Sequence, residues 1–209
     1  MSTLKIGVFA SGRGSNFAAI LKAIQAGSLD AKIQILLSNH KKAGALELAE
    51  QNDIPTLVVD RQQHDSRESF VQTMVNALEQ HAVEWIVLAG YMKKIPPEVI
   101  ARYANRIVNI HPALLPSFGG KGMYGHFVHE AVLAHGCKVS GVTVHLVDDA
   151  YDRGPILAQR CVPVLPDDTP DTLAARVLQQ EHLLFSEVLQ WIARGNVTIN
   201  GRIATVISD

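Results

Sequence analysis

Cysteine is scarce in this chain. Cys137 and Cys161 are the only two among 209 residues, so they could close one disulfide at most, and a reduced, cytoplasmic setting is expected. Excess charge of either sign is also missing, since 19 Lys and Arg stand against 20 Asp and Glu. That balance leaves no basic field to hold nucleic acid and no basic cluster to anchor a membrane surface. No apolar run approaches the ~20 residues that a membrane-spanning helix requires. The apolar stretch beginning at Leu4 ends at Ser11, too short for a signal-peptide core and suited to a strand. Repeats, low-complexity tracts and linkers are absent. The remainder, 47% hydrophobic and 19% charged, suits one globular domain over residues 1–209 with a full-sized core.

Within that domain the first half alternates two periodicities. Short apolar runs at Leu4–Ala10, Ile33–Leu37, Thr56–Asp60, Trp85–Ala89 and Ile107–Ile110 read as buried strands. Segments of helical spacing lie between them, such as Ser15–Ala26 with Phe17, Ile20, Leu21 and Ile24 on one face. Further helices are expected at Ala43–Gln51, Ser66–His81 and from Pro96–Pro97 to Tyr103. This rhythm predicts an α/β fold: a Rossmann-like, mostly parallel twisted sheet with helices on both faces. After His111 the pattern changes. A Gly-rich loop precedes a helix at His126–Ala134. Val139–Val147 and Ile156–Val164 read as strands at one sheet edge, Thr169–Arg194 as a long helix, and the Asn200-Gly201 turn as the tip of a terminal hairpin.

Ser11-Gly12-Arg13-Gly14-Ser15-Asn16 joins the first strand to the first helix. Glycines let a ligand approach the backbone there, and the helix N-terminus offers free N–H groups and a positive dipole end. The plainer reading is a tight turn capped by Ser15 or Asn16. The Lys-Ser/Thr pair of a Walker loop is missing after Gly14. A dinucleotide fingerprint would want a small residue where Phe17 stands and an acid where Ser38-Asn39 stands. A single phosphate monoester fits this loop better than NAD or ATP.

Asn109-Ile110-His111-Pro112 falls at the carboxyl end of the fifth strand, where open α/β sheets bind ligands. Residues two apart on a strand share a side, so Asn109 and His111 can face one substrate. The third element is the acidic turn Asp148 to Pro155. A carboxylate beside a histidine stabilises imidazolium; Asn, His and Asp together can stabilise an oxyanion and move protons. His111 as a merely hydrogen-bonded strand-end residue, and the acidic run as a solvated turn, are the plainer readings. His145 can face the site or be a satisfied strand histidine. His126 and His129 have a spacing that a metal could use, but no third ligand is evident, and no metal is expected.

The motifs Ser11–Asn16, Ser66-Arg67-Glu68, Leu88–Met92, Asn109–Pro116, Ser140–His145, Asp152–Pro155 and Glu181-His182, in this order, resemble those of the phosphoribosylglycinamide formyltransferases. These are folate-dependent enzymes of purine synthesis within the wider formyltransferase superfamily. The resemblance implies a formyltransferase fold with a phosphate-binding half over about 1–110 and a folate and catalytic half over about 111–209. It implies formyl transfer from 10-formyltetrahydrofolate to the amine of 5-phosphoribosylglycinamide, with Asn109, His111 and Asp152 as catalytic residues. Gly14, Ser15, Asn16 and Glu181 would bind the substrate, and Arg67, Met92, Lys93, Lys94, Ile95 and Asn109 the folate. The partners would be these small molecules only, without nucleic acid or membrane, in a cytoplasmic monomer or homodimer. Lys93 or Lys94 stands where the family often has Arg, and Lys-Gly-Met-Tyr-Gly lengthens the loop from Gly119 to His129.

Two rival classes remain on this reading. One is another formyl-group enzyme: a formyltetrahydrofolate deformylase, or a sugar or aminoacyl-tRNA formyltransferase. The deformylase is expected to carry an N-terminal regulatory domain ahead of the strand at Leu4. The tRNA enzyme is expected to extend beyond Asp209. The other rival is a non-catalytic nucleotide-binding module, in which Asn109, His111 and Asp152 would have no joint role.

Overall fold

A computed structural model describes residues 3–207, and the chain divides into two compact units, Met1–Val108 and Asn109–Asp209. In the first unit, β1 (Leu4–Phe9), α1 (Ser15–Gln25), β2 (Ala31–Ser38), α2 (Gly44–Glu50), β3 (Thr56–Val58), α3 (Arg67–Gln80), β4 (Trp85–Leu88) and α4 (Pro97–Arg102) lead to the start of β5 (Ile107–His111). The strands lie in the order β3-β2-β1-β4, and β1 pairs with β2 and β4, and β2 with β3, all in parallel. Ile6, Val8 and Phe9 are fully buried in β1, as a central parallel strand requires. In α3 the Ser66 hydroxyl caps the helix by accepting from the Ser69 N–H. Val71, Met74, Ala77 and Leu78 form its buried stripe, at the spacing of one helical face.

This strand order matters for function. The chain runs outward from β1 to β3, then returns to place β4 on the other flank of β1. The carboxyl ends of β1 and β4 therefore flank a topological switch point, where open α/β sheets bind ligands.

The second unit holds the end of β5, then α5 (His126–Ala134), β6 (Val139–Leu146), β7 (Ile156–Pro163), α6 (Pro170–Ala193), β8 (Val197–Asn200) and β9 (Ile203–Val206). Its strand order is β5-β6-β7-β9-β8. β6 and β7 form an antiparallel hairpin, β9 lies parallel to β7, and β8 antiparallel to β9. α6 packs on β6, β7 and α5 through Leu173, Val177, Leu184, Phe185, Val188 and Ile192. Thr169 and Thr172 cap it reciprocally. Just before the cap, Arg176 grips the Asp168 carboxylate with two nitrogens at 2.7 Å. Those charge-assisted bonds hold the Asp168 carboxyl well below the usual carboxylate range.

The regular elements lie where periodicity places them, with ends shifted by a residue or two. Four local features differ. In the terminal hairpin Asn200 belongs to β8 and pairs with Ile203 of β9, so the tip is Gly201-Arg202 in place of Asn200-Gly201. A short 3₁₀ turn occupies Arg61–Gln63, anchored by the Asp60 side chain, where no element was expected. β5 runs on to include His111. The cap of α1 is Gly14, in left-handed conformation and without a side-chain cap bond, in place of Ser15 or Asn16. No helix among the described residues is long and apolar enough to cross a membrane.

Gly141 in β6 stands opposite Cys161 of β7. A Cβ there would meet the Arg160 carbonyl oxygen and lie 2.6 Å from Leu114 Cδ2. Gly141→Ala is expected to destabilise the protein by about 1–3 kcal/mol, the usual cost of overpacking. A lowered urea midpoint would show it; an unchanged midpoint would mean that the hairpin relaxes freely.

Candidate active site

Gly14 and Ser11 shape the switch point of the first unit. Gly14 has φ +84°, and a Cβ would sit 2.8 Å from Ala45 Cβ, so both conformation and the approach of α2 demand glycine. The Ser11 hydroxyl donates to Asn39 Oδ1 and accepts from the Met92 N–H at 2.8 Å. The Ser11 N–H also reaches the Gly90 carbonyl at 3.0 Å. One side chain thus ties together the segments that leave β1, β2 and β4. Asn39, at the place of a dinucleotide acid, serves this tie. Because Gly14 brings no side-chain acceptor, the first N–H groups of α1 have none from their cap, which is the electrostatic setting for an anion.

The strand-end residues converge in the second unit. His111 and His145 are buried. The Asp152 carboxylate lies between them, with Oδ2 3.7 Å from His111 Nδ1 and Oδ1 3.7 Å from His145 Nε2. These separations are too long for direct hydrogen bonds. Oδ2 accepts a hydrogen bond from the Gly120 N–H at 2.8 Å. Asp152 itself sits at φ +53°, a left-handed conformation uncommon outside glycine. The turn that presents it is tight. A Cβ on Gly154 would strike the Leu146 carbonyl oxygen, and Arg202 Nη2 donates to the Arg153 carbonyl at 2.6 Å.

Carbonyl partners decide the ring protons, because a carbonyl can only accept. His145 Nδ1 lies 2.8 Å from the Leu146 oxygen, so Nδ1 carries the hydrogen. Burial holds the His145 pKa down, against the Leu146 hydrogen bond and Asp152. The neutral ring then accepts from Asn109 Nδ2 through Nε2 at 3.0 Å. This bond orients the Asn109 amide and leaves its second N–H available. His111 Nε2 lies 2.8 Å from the Phe118 oxygen and must donate to it, so Nδ1 is the nitrogen turned towards Asp152. Sequence reasoning expected His111 as a donor without foreseeing that the backbone occupies one of its nitrogens. Nothing in the spacing signals the part of Phe118 or Gly120.

The other predicted residues divide. Glu181 is buried on α6, so it is no ordinary exposed helix carboxylate. Asn16 is buried at the start of α1. Arg67 opens α3 and pairs with Glu98 at 3.0 Å, both side chains about half exposed. Met92 is 54% exposed, whereas Ile95 is buried in the core and has only its backbone to offer. Lys93 and Lys94 are exposed. His126 and His129 do not act as a pair: His126 meets Glu130 and Asp171 at the surface, while His129 is buried. No group of three His, Cys, Asp or Glu among the described residues could hold a metal ion. A cavity of about 500 Å³ against α3 and α4, lined by Val71, Val75, Glu79, Glu98 and Arg102 among others, contains none of the predicted residues.

An open α/β sheet with a glycine loop at its switch point, and with an amide, an imidazole and a carboxylate gathered about a strand end, defines the class of α/β proteins that handle small molecules at strand ends. The chain belongs to the formyl transferase family, whose profile matches residues 4–189. It is 46% identical to the chloroplastic phosphoribosylglycinamide formyltransferase of Vigna unguiculata, over 89% of this chain and 60% of that protein. It is 37% identical to the phosphoribosylglycinamide formyltransferase of Bacillus subtilis, over 89% of this chain and 93% of that one. The chain thus spans less than two thirds of the plant relative's length. The crystal structure of glycinamide ribonucleotide transformylase 1 from Symbiobacterium toebii matches with a TM-score of 0.92 at 35% identity, covering 99% of this chain and 95% of that one.

Protonation of buried imidazoles sets a pH dependence. Burial, with charge repulsion from His126 and His111, pushes the His129 pKa down to about 4, and its Nδ1 has no hydrogen-bond partner. Burial also lowers His182. Below the ordinary histidine pKa of about 6.5 the unfolded chain gains protons that the folded chain refuses. Stability is therefore full above that pH and declines as pH falls towards 4. Urea unfolding between pH 7.5 and 5 should show this slope, and His129→Leu should make it shallower. An unchanged slope in that variant would place the proton uptake elsewhere.

Proposed function

We propose that the chain transfers a formyl group from 10-formyltetrahydrofolate to the primary amine of 5-phosphoribosylglycinamide, a step of purine synthesis. The observation that carries the reading is the convergence of Asn109, His111 and Asp152, with His145 orienting the Asn109 amide. The neutral amine attacks the formyl carbon, a tetrahedral oxyanion forms, and the carbon–nitrogen bond to the folate breaks. The amine proton passes to the departing folate nitrogen, with water as relay. The free N–H of Asn109 and a proton on His111 Nδ1 stabilise the oxyanion, and Asp152 holds the charged imidazole.

Gly14, Ser15 and Asn16 take the substrate's phosphate at the start of α1; the uncapped N–H groups there support this. Glu181 binds the sugar, for which a buried carboxylate on α6 is suited. The folate is assigned to Arg67, the exposed Met92 side chain, Lys93, Lys94, the backbone at Ile95, and Asn109. Arg67 must then share its guanidinium with Glu98. The reaction requires no metal and is placed in the cytoplasm, in a monomer or homodimer.

Pure protein supplied with both substrates should release tetrahydrofolate and formylate the amine; no product would end this reading. His111→Ala and Asp152→Asn should each lower kcat on the order of a hundredfold or more in protein that still folds, His111→Ala with a lowered unfolding midpoint because it empties a buried site. Near wild-type turnover in either would remove that residue from the chemistry.

Asn16→Ala should act on binding instead, because a phosphate at a helix N-terminus is not the reacting group. Steady-state kinetics should give a KM for the phosphorylated substrate raised by roughly tenfold, about one lost charge-assisted bond, with the folate KM little changed. The reverse pattern would move the phosphate elsewhere.

A further inference from the structure

Phe118 follows Ser117 after the Pro112–Pro116 segment, and its backbone has φ +54°, a left-handed conformation that bulky residues seldom adopt. Glycines stand at the next two positions, yet the chain places an aromatic residue here. Its carbonyl accepts from His111 Nε2 at 2.8 Å. Its ring meets the His135 ring edge to face, with centroids 5.4 Å apart and planes at 76°, an arrangement that aromatic rings favour. His135 is the C-cap of α5, and its Nδ1 donates to the Ala131 carbonyl at 2.8 Å, which fixes the ring that Phe118 rests on. Two residues further on, the Gly120 N–H binds Asp152 Oδ2. The loop is closely fitted, for a Cβ on Gly119 would lie 2.5 Å from Leu115 Cδ2 and 3.2 Å from Asp152 Cβ.

We propose that Phe118 and His135 are positioning residues: the edge-to-face ring contact holds the Phe118 carbonyl on His111 Nε2 and so makes Nδ1 the working nitrogen of the imidazole. Without that carbonyl, a neutral His111 could place its single proton on either nitrogen and turn in its plane. With it, the ring is locked with Nδ1 towards Asp152, and the strained backbone of Phe118 is maintained by the grip of its side chain. The inference rests on the reading of His111 as a reacting group.

The test reads the tautomer directly. In protein labelled with 15N-histidine, at a pH where the ring is neutral, ring-nitrogen chemical shifts distinguish a protonated from an unprotonated nitrogen. The His111 signals are assigned by their loss in His111→Asn. Wild type should show His111 as a single Nε2–H form. Phe118→Gly suits the backbone angle but has no ring, and His135→Ala removes the ring's partner. Each should show a mixture of tautomers, with kcat lowered about tenfold and both KM values within about twofold. Phe118→Tyr keeps the ring and should restore the tautomer and kcat. A single Nε2–H form in both Phe118→Gly and His135→Ala would overturn the proposal, as would a mixed tautomer with unchanged kcat. Wild-type protein that fails to formylate, alongside variants that do mix tautomers, would refute the substrate assignment and leave the locking of His111 standing.

Discussion

The Asp152 carboxylate is the constraint around which the second unit is arranged. It faces two buried imidazoles at equal distance and takes a backbone N–H from the loop after β5. A carboxylate so enclosed would be costly if its partners were missing. The surrounding backbone accepts unusual geometry to supply them: left-handed angles at Asp152 and Phe118, a strand-to-turn approach that only Gly154 permits, and a guanidinium from the terminal hairpin on the turn's carbonyl. Strain gathered at one place is characteristic of functional sites.

The two buried histidines do different work because carbonyl groups address different ring nitrogens. Leu146 holds the His145 proton on Nδ1 and frees Nε2 to accept from Asn109. Phe118 holds the His111 proton on Nε2 and leaves Nδ1 before Asp152. Two identical side chains within reach of one carboxylate thus become an orienting acceptor and a candidate proton donor. Burial reinforces the first role by disfavouring charge on His145.

The first unit solves a different problem. Returning β4 to the far flank of β1 leaves two carboxyl ends side by side, and Ser11 ties the segments leaving them. Gly14 starts α1 without a side-chain acceptor, so no cap side chain closes the first turn. A Ser or Asn cap would have closed the helix on itself. The same glycine gives α2 its close approach through Ala45, so backbone angle and packing make the same demand of this position.

Much of this was legible in the residues. Strand and helix positions follow from apolar periodicity, since one buried face leaves a repeat of two or 3.6 that short-range order alone reveals. The strand-end placement of Asn109 and His111, and the likeness of the ordered motifs to a formyltransferase, were readable too, because they depend on local sequence. Tertiary structure alone decided the rest. Nothing in the pattern tells that Ile95 turns into the core while Met92 stays outside, or that Glu181 is buried. Nor does it tell which nitrogen of each histidine holds a proton. Those outcomes depend on backbone carbonyls and glycine contacts brought together from distant parts of the chain, and a carbonyl is present at every residue whatever its side chain, so the sequence carries no mark of which ones will act.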